Sequence, residues 1–389
     1  MINSEIMLKI KELFTPSAPV LQSKLFVGRK SQIHRINDAI YDIGKHIILY
    51  GERGVGKTSI ANYIKHTQSQ SVTVLECYVD FNDNFDAIWN KIFTQFKFTT
   101  TKTTTGFIQN EIHTVQNLTS FIPTSNITEN DISNLFQRLN IPVIIIIDEF
   151  DKIKNSDTKE KMAHIMKLLS DRGLDVTILI VGVASDINEL IIGHESIKRN
   201  IVEIQMPRMN DDELNDILTD RLNAMDVTID DDVQQSIIKL SCGLPQYIHT
   251  IGREVCISAS EDSRTHINYS DMKKGLLKTI ENAEQSLKDA YKKATESNRD
   301  TIYKDVLLAC AKAEKDSEGY FTQKSIVVPL ETILKRKIPI AGFQTHIAKF
   351  LTQDRGSILE KIGKSRSFKY RFTEPRMQIY IDIMDFISE

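Results

Sequence analysis

The sequence predicts an α/β fold: a parallel sheet flanked by helices, continued by small helices and a C-terminal region of helices and a hairpin. Three observations carry this reading. In HIILYGERGVGKTSIANYI, His46 to Ile64, Gly51 is followed after four residues by Gly56-Lys57-Thr58, the spacing of a P-loop. Val143 to Ile147 is a run of five β-branched residues leading into Asp148-Glu149, as a buried parallel strand reads. Further short apolar runs, Val72 to Val79, Val176 to Val183 and Ile201 to Met206, have helical patterns between them, the alternation of an α/β sheet.

The elements follow in order. Residues 1 to 24 read as an arm or a short helix, with Pro16 and Pro19 as breakers. After Leu25-Phe26-Val27-Gly28-Arg29, Ile33, Ile36 and Ile40 keep helical spacing. His46 to Tyr50 is a buried strand, and from Thr58 a helix places Ile60, Ala61 and Ile64 on one face. Asn84 to Phe96 is amphipathic through Ile88, Ile92 and Phe96. From Thr99 to about Ile127, polar β-branched residues suit an exposed hairpin or a surface loop. Phe150 to Ile153 connects to a helix around Lys159 to Ser170.

Beyond Met209 the pattern is helical: Asp211 to Asn223, Asp230 to Ser241, and Leu244 to Ser258, with Gly243 closing one helix and Pro245 opening the next. A long helix from Ser270, as N-cap, to about Glu296 bridges to the last region. There Ile302 to Lys312, Gln323 to Lys335 and Gly342 to Thr352 read as three helices. Ile358 to Ile362 and Phe368 to Phe372 read as a hairpin around Gly363-Lys364-Ser365-Arg366. Phe368, Tyr370 and Phe372 alternate with Lys369 and Arg371, giving one core face and one basic face.

Composition bounds the function. With 389 residues, 41 % hydrophobic and 26 % charged, the chain suits two or three ordinary globular domains. The expectation is a cytoplasmic protein: no apolar run is long enough for a membrane, and the N-terminus lacks a signal peptide's apolar core. Cys77, Cys242, Cys256 and Cys310 lack zinc or redox spacing and read as reduced thiols. The net charge of −3 hides an asymmetry, since Lys335 to Arg376 carries 11 Lys and Arg against 3 Asp and Glu. A local basic surface on an acidic protein points to a polyanionic partner.

The motifs carry phosphate chemistry. A glycine-rich turn lets backbone N–H groups converge on a phosphate, and the following helix N-terminus adds partial positive charge. Gly51, Gly54, Val55, Gly56, Lys57, Thr58 and Ser59 form that set. Lys57 would reach the β- and γ-phosphates, and Thr58 would bind Mg²⁺. Asp148, at the end of its strand, would join the Mg²⁺ shell, with Glu149 orienting or deprotonating the attacking water. This is the Walker B pattern.

Phe26-Val27-Gly28-Arg29, both Walker motifs, Gly243-Leu244-Pro245 and the terminal helix-helix-helix-hairpin occur in the order of an AAA+ ATPase. The chain resembles the origin-recognition and STAND-like branch, with base, helical lid and C-terminal winged helix. The resemblance implies a division into an arm (1–24), a nucleotide-binding base (25–207), a lid (208–268), a linker helix (269–299) and a winged helix (300–389). It implies that Phe26 and Val27 hold the adenine, that Ser185 or Asp186 is a polar sensor, and that Pro245 abuts the nucleotide. Gln246 stands where many relatives carry a lid arginine. Arg199 resembles an arginine finger reaching a neighbouring subunit; the alternative is a surface basic pair with Lys198. A winged helix would set Lys349, Lys364, Arg366, Lys369 and Arg371 on DNA, or serve as a protein-docking module. The implied cofactors are ATP and Mg²⁺. The implied partners are further copies of the chain, double-stranded DNA, and an effector nuclease or a transposition or replication protein. Relatives load helicases, activate transposition, or act as switches in regulation and antiviral defence.

Overall fold

The computed structural model describes residues 4–16, 18, 26–103, 111–123, 125–184, 187, 190–192, 197–297, 301–316, 318–363 and 367–388. The chain forms two compact units. One comprises Val20–Gly51 and Lys57–Met206; the other comprises Met1–Pro19, Glu52–Gly56 and Pro207–Glu389. Helix α1 (Ser4–Leu13), the first element, belongs to the second of these.

The sheet unit starts with α2 (Lys30–Tyr41), β1 (His46–Gly51), α3 (Lys57–Gln68), β2 (Thr73–Tyr78) and α4 (Phe85–Gln95). β3 (Lys97–Thr103) then pairs antiparallel with β4 (Glu111–Asn117), so Thr99 to Thr103 of the polar β-branched stretch is strand. Then come α5 (Glu129–Leu139), β5 (Val143–Asp148), α6 (Ser156–Asp171), β6 (Val176–Val183) and β7 (Ile201–Gln205). The five-stranded sheet has the order β2-β5-β6-β1-β7, every neighbouring pair parallel. Parallel neighbours need crossovers, and the helices supply them. Helices on both faces explain why β5 is buried at all six positions. The middle place belongs to β6, with β5 beside it.

The core of this unit gathers around Trp89, fully buried with Phe85, Phe93 and Phe136. His46, at the start of β1, is fully buried too. Its Nδ1 accepts the Ile178 N–H (3.0 Å), which leaves Nε2 to donate to the Met166 carbonyl (2.7 Å). Burial pushes its pKa down to about 4. It is a neutral pin between strand and helix.

In the other unit, α1 is a helix whose Ile10 and the following Phe14 are buried. The His249 Nδ1 accepts the Thr15 N–H at 3.2 Å. The helical elements are α7 (Asp211–Ala224), α8 (Asp231–Leu240), α9 (Pro245–Glu261), α10 (Tyr269–Glu281), α11 (Gln285–Thr295), α12 (Tyr303–Lys312), α13 (Gln323–Leu334), α14 (Gln344–Phe350) and α15 (Arg376–Ser388). A two-residue parallel ladder pairs β8 (Thr228–Ile229) with β9 (His266–Ile267), and β10 (Leu359–Ile362) pairs antiparallel with β11 (Lys369–Phe372). Residues of α11 to α15 and the hairpin share one apolar cluster.

Two readings change here. The long helix after Asn268 is two helices, broken at Asn282 to Glu284, where Glu284 leaves helical geometry and pairs with Arg376 of α15 (2.6 and 3.1 Å). Its N-cap is Asn268, not Ser270, in a capping box with Asp271. The second change is α15 itself, for which the sequence raised no expectation. Met377, Ile379, Ile381 and Ile383 alternate as in a strand, yet all seven residues from Met377 to Ile383 are buried on a helix.

Candidate phosphate-binding site

The site is built from the β1–α3 connection. Gly51 ends β1 at φ 151°, and a Cβ there would sit 2.5 Å from the Met206 carbonyl oxygen, so only glycine fits. The chain turns through Gly54 and Gly56, both at positive φ, and enters α3 at Lys57. Val55 is fully buried. Lys57 is 8 % exposed, and its Nζ donates to the Gly51 carbonyl at 3.0 Å. Thr58 and Ser59 follow in the first turn of α3, half-buried.

The carboxylates stand at the end of β5. Asp148 is 3 % exposed; one oxygen accepts the Glu149 N–H at 2.7 Å, and the carboxylate takes the Thr58 side-chain hydrogen bond. Burial raises its pKa against the lowering by Thr58 and the Glu149 amide. Glu149 sits at φ 60°, a left-handed position uncommon for a non-glycine residue, and pairs with Lys152 at 2.5 Å. Lys152 escaped the sequence reading, although its spacing of three residues is a pairing distance on a helical turn.

These groups fit a nucleotide with Mg²⁺. A buried ammonium that donates to the Gly51 carbonyl lies in the same unit as a buried carboxylate hydrogen-bonded to a hydroxyl. Carboxylate and hydroxyl oxygens are the donors Mg²⁺ takes. Phe26 and Val27 are half-buried, and the Phe26 ring lies 4.9 Å from Tyr63 of α3. In the other unit, Pro245 is the first residue of α9, and a Cβ on Gly56 would lie 3.9 Å from its ring. Gln246 reaches the same loop, its Oε1 3.2 Å from a Cβ placed on Gly54. Ser185 and Asp186 lie outside the described residues.

Arg199 is remote from these groups. It precedes β7, whose first residue Ile201 pairs with His46, the first of β1, whereas the phosphate loop leaves the last. Six strand residues, roughly 17 Å, separate the two ends. Its side chain is 79 % exposed and 3.4 Å from Asp171. Its own phosphate loop lies beyond its reach, and the residue it meets is Asp171.

Lys349 is exposed on α14, its Nζ 6.0 Å from the Tyr303 ring centre. Lys369 pairs with Asp316 at 2.7 Å. Arg371 pairs with Glu360 and stacks on Tyr320, its Cζ 4.6 Å from the ring centre. The expected basic outer face of β11 is thus engaged within the chain. Lys364 and Arg366 lie outside the described residues. Among the described residues, no helix is long and apolar enough to cross a membrane.

Residues 25–181 match the family described as an AAA ATPase domain. No curated protein matches. Among solved structures, the chain is similar to Cdc6p from Pyrobaculum aerophilum, with 16 % identity, 97 % of this chain and 98 % of that one covered, and a TM-score of 0.51. It is also similar to a Walker-type ATPase of Pyrococcus abyssi, with 13 % identity, 95 % and 99 % covered, and a TM-score of 0.53. Residues 25–181 are therefore similar to an AAA ATPase domain, and the α/β fold, a five-stranded parallel sheet flanked by helices, is that of these solved structures.

Proposed function

We propose that this protein binds and hydrolyses ATP, self-associates in a nucleotide-dependent way, and acts on DNA through a C-terminal winged helix. One observation carries the first part: Lys57, Thr58, Asp148 and Glu149 all lie where β1 and β5 end, in a unit that matches an AAA ATPase domain. Ligands of open parallel sheets bind at the strands' carboxyl ends. Lys57 would exchange the Gly51 carbonyl for phosphate oxygens. Thr58 and Asp148 would hold Mg²⁺, which when bound supplies positive charge against the phosphates. Glu149, released from Lys152, would take the proton of the attacking water on its carboxylate. Phe26 and Val27 would pack on the adenine, and Arg199 would complete the site of the next subunit. Lys57→Ala should abolish ATP binding in a folded protein; unchanged affinity by calorimetry would end this reading.

DNA contact rests on the charge of the C-terminal region and on the exposed run Lys335-Arg336-Lys337 before α14. Lys349, Lys364 and Arg366 would join that run on backbone phosphates. Each phosphate neutralised contributes about 0.9 to the slope of log affinity against log salt. Lys364→Ala with Arg366→Ala should therefore flatten the slope by roughly two. The second reading is a STAND-like switch that scaffolds an effector protein, and the internal pairing of Lys369 and Arg371 favours it. Wild type that binds no duplex at low salt would select that switch.

A further inference from the structure

Arg208 joins three distant pieces of chain within one unit. Its Nε and Nη2 donate to the two carboxylate oxygens of Glu52, both at 2.8 Å. Its Nη1 donates to the Cys242 carbonyl and to Gln378 Oε1, both at 3.1 Å. Glu52 is the residue after Gly51 in the phosphate loop. Cys242 is in the turn before α9, and Gln378 is in the first turns of α15. A planar fork of five donors suits such a junction; an ammonium would not span it. The pair is enclosed, with side chains 15 % and 8 % exposed.

Two glycines let the backbone close over it. A Cβ on Gly243 would lie 2.7 Å from the Arg208 Cβ, and one on Gly319 would lie 3.0 Å from Nη2 and 3.3 Å from Glu52 Oε1. Gly319 belongs to the turn before α13, so the C-terminal region meets the ion pair twice, at Gly319 and at Gln378. Gln378 is fixed in turn, its Nε2 donating toward the Cys242 Sγ (3.3 Å) and the Ala311 carbonyl (3.4 Å). Nothing in the sequence linked these residues, which lie 34 to 170 positions from Arg208.

We infer that Arg208 is a positioning residue that couples the phosphate loop to the C-terminal region, an inference that rests on the proposed ATP site. Phosphates entering the loop change the field at Glu52 and the path of its backbone. The bidentate pair transmits that change to Arg208, whose remaining bonds pass it to the α9 turn and to α15. Coupling of this kind is reciprocal, so a change at α15 must alter affinity for ATP.

The test is amide hydrogen exchange of the full chain with and without MgATP, read in residues 311–321 and 376–388, beside calorimetric ATP binding. In wild type, ATP should change exchange in both segments. Gln378→Leu, which lies outside the loop, should still bind ATP with an affinity altered about fivefold or more, and should lose the response in 376–388. Arg208→Lys, which keeps the charge and loses the fork, should lose it as well. Wild type that fails to bind ATP overturns the ATP reading and this inference together. Wild type that binds without a response, or variants that both bind and keep the full response, overturn the inference alone.

Discussion

Replacing Asp148 by Asn should stabilise the nucleotide-free protein while removing its function. The carboxylate is 3 % exposed and its pKa is raised, chiefly by burial. An acid whose folded pKa lies above its unfolded value, about 3.9 for Asp, binds its proton more tightly when folded. Its ionisation therefore costs stability, beginning as pH rises through the unfolded value and complete above the folded one. The cost therefore grows as pH rises from the acid range toward neutral. Asn keeps the volume and an acceptor oxygen for the Glu149 amide, and carries no charge to desolvate. The expected gain is about 1 kcal/mol, the usual scale for relieving a functional residue, or a rise of roughly 2–4 °C in the melting of a unit this size. Circular dichroism melts at pH 5 and pH 7 without nucleotide, with MgATP binding measured in parallel, provide the assay. The variant should melt higher at pH 7, depend less on pH in the acid range, and lose MgATP binding. A lower melting temperature at pH 7 would mean that the carboxylate stabilises the empty site, and the desolvation argument would be wrong.

Glu149→Gln should keep ATP binding and lose roughly 10²–10⁴ in turnover, the range for removal of a general base; wild-type turnover in single-cycle kinetics would take Glu149 out of the mechanism. Arg199→Ala should lower hydrolysis at unchanged ATP affinity. Mixing it with Glu149→Gln subunits should restore part of the activity; no recovery from co-assembled subunits would assign Arg199 to the surface pair with Asp171. Trp89→Ala removes a fully buried ring packed on Phe85, Phe93 and Phe136 and should cost about 3–5 kcal/mol in urea unfolding. A loss under about 1 kcal/mol would mean that the core closes around the gap.

The sequence by itself determined the sheet and the phosphate loop, because both depend on local pattern. Val143 to Ile147, five consecutive β-branched residues, reads as a strand covered on both faces, and Gly51 through Thr58 carries its turn chemistry in adjacent residues. The same locality explains the failures. Met377 to Ile383 alternates as a strand would, but burial on every side of α15 erases the helical period. The break at Asn282 to Glu284 is accompanied by Arg376, almost a hundred residues away. Lys369 and Arg371 alternate with core residues as an exposed basic face should; only tertiary structure brings Asp316 and Glu360 within reach of them. Arg208 is the sharpest case. One arginine after a strand has no periodicity, and its meaning comes from a carboxylate 156 residues earlier and a glutamine 170 residues later that folding packs against its guanidinium. Hydrogen bonds act over about 3 Å in space and take no account of separation along the chain.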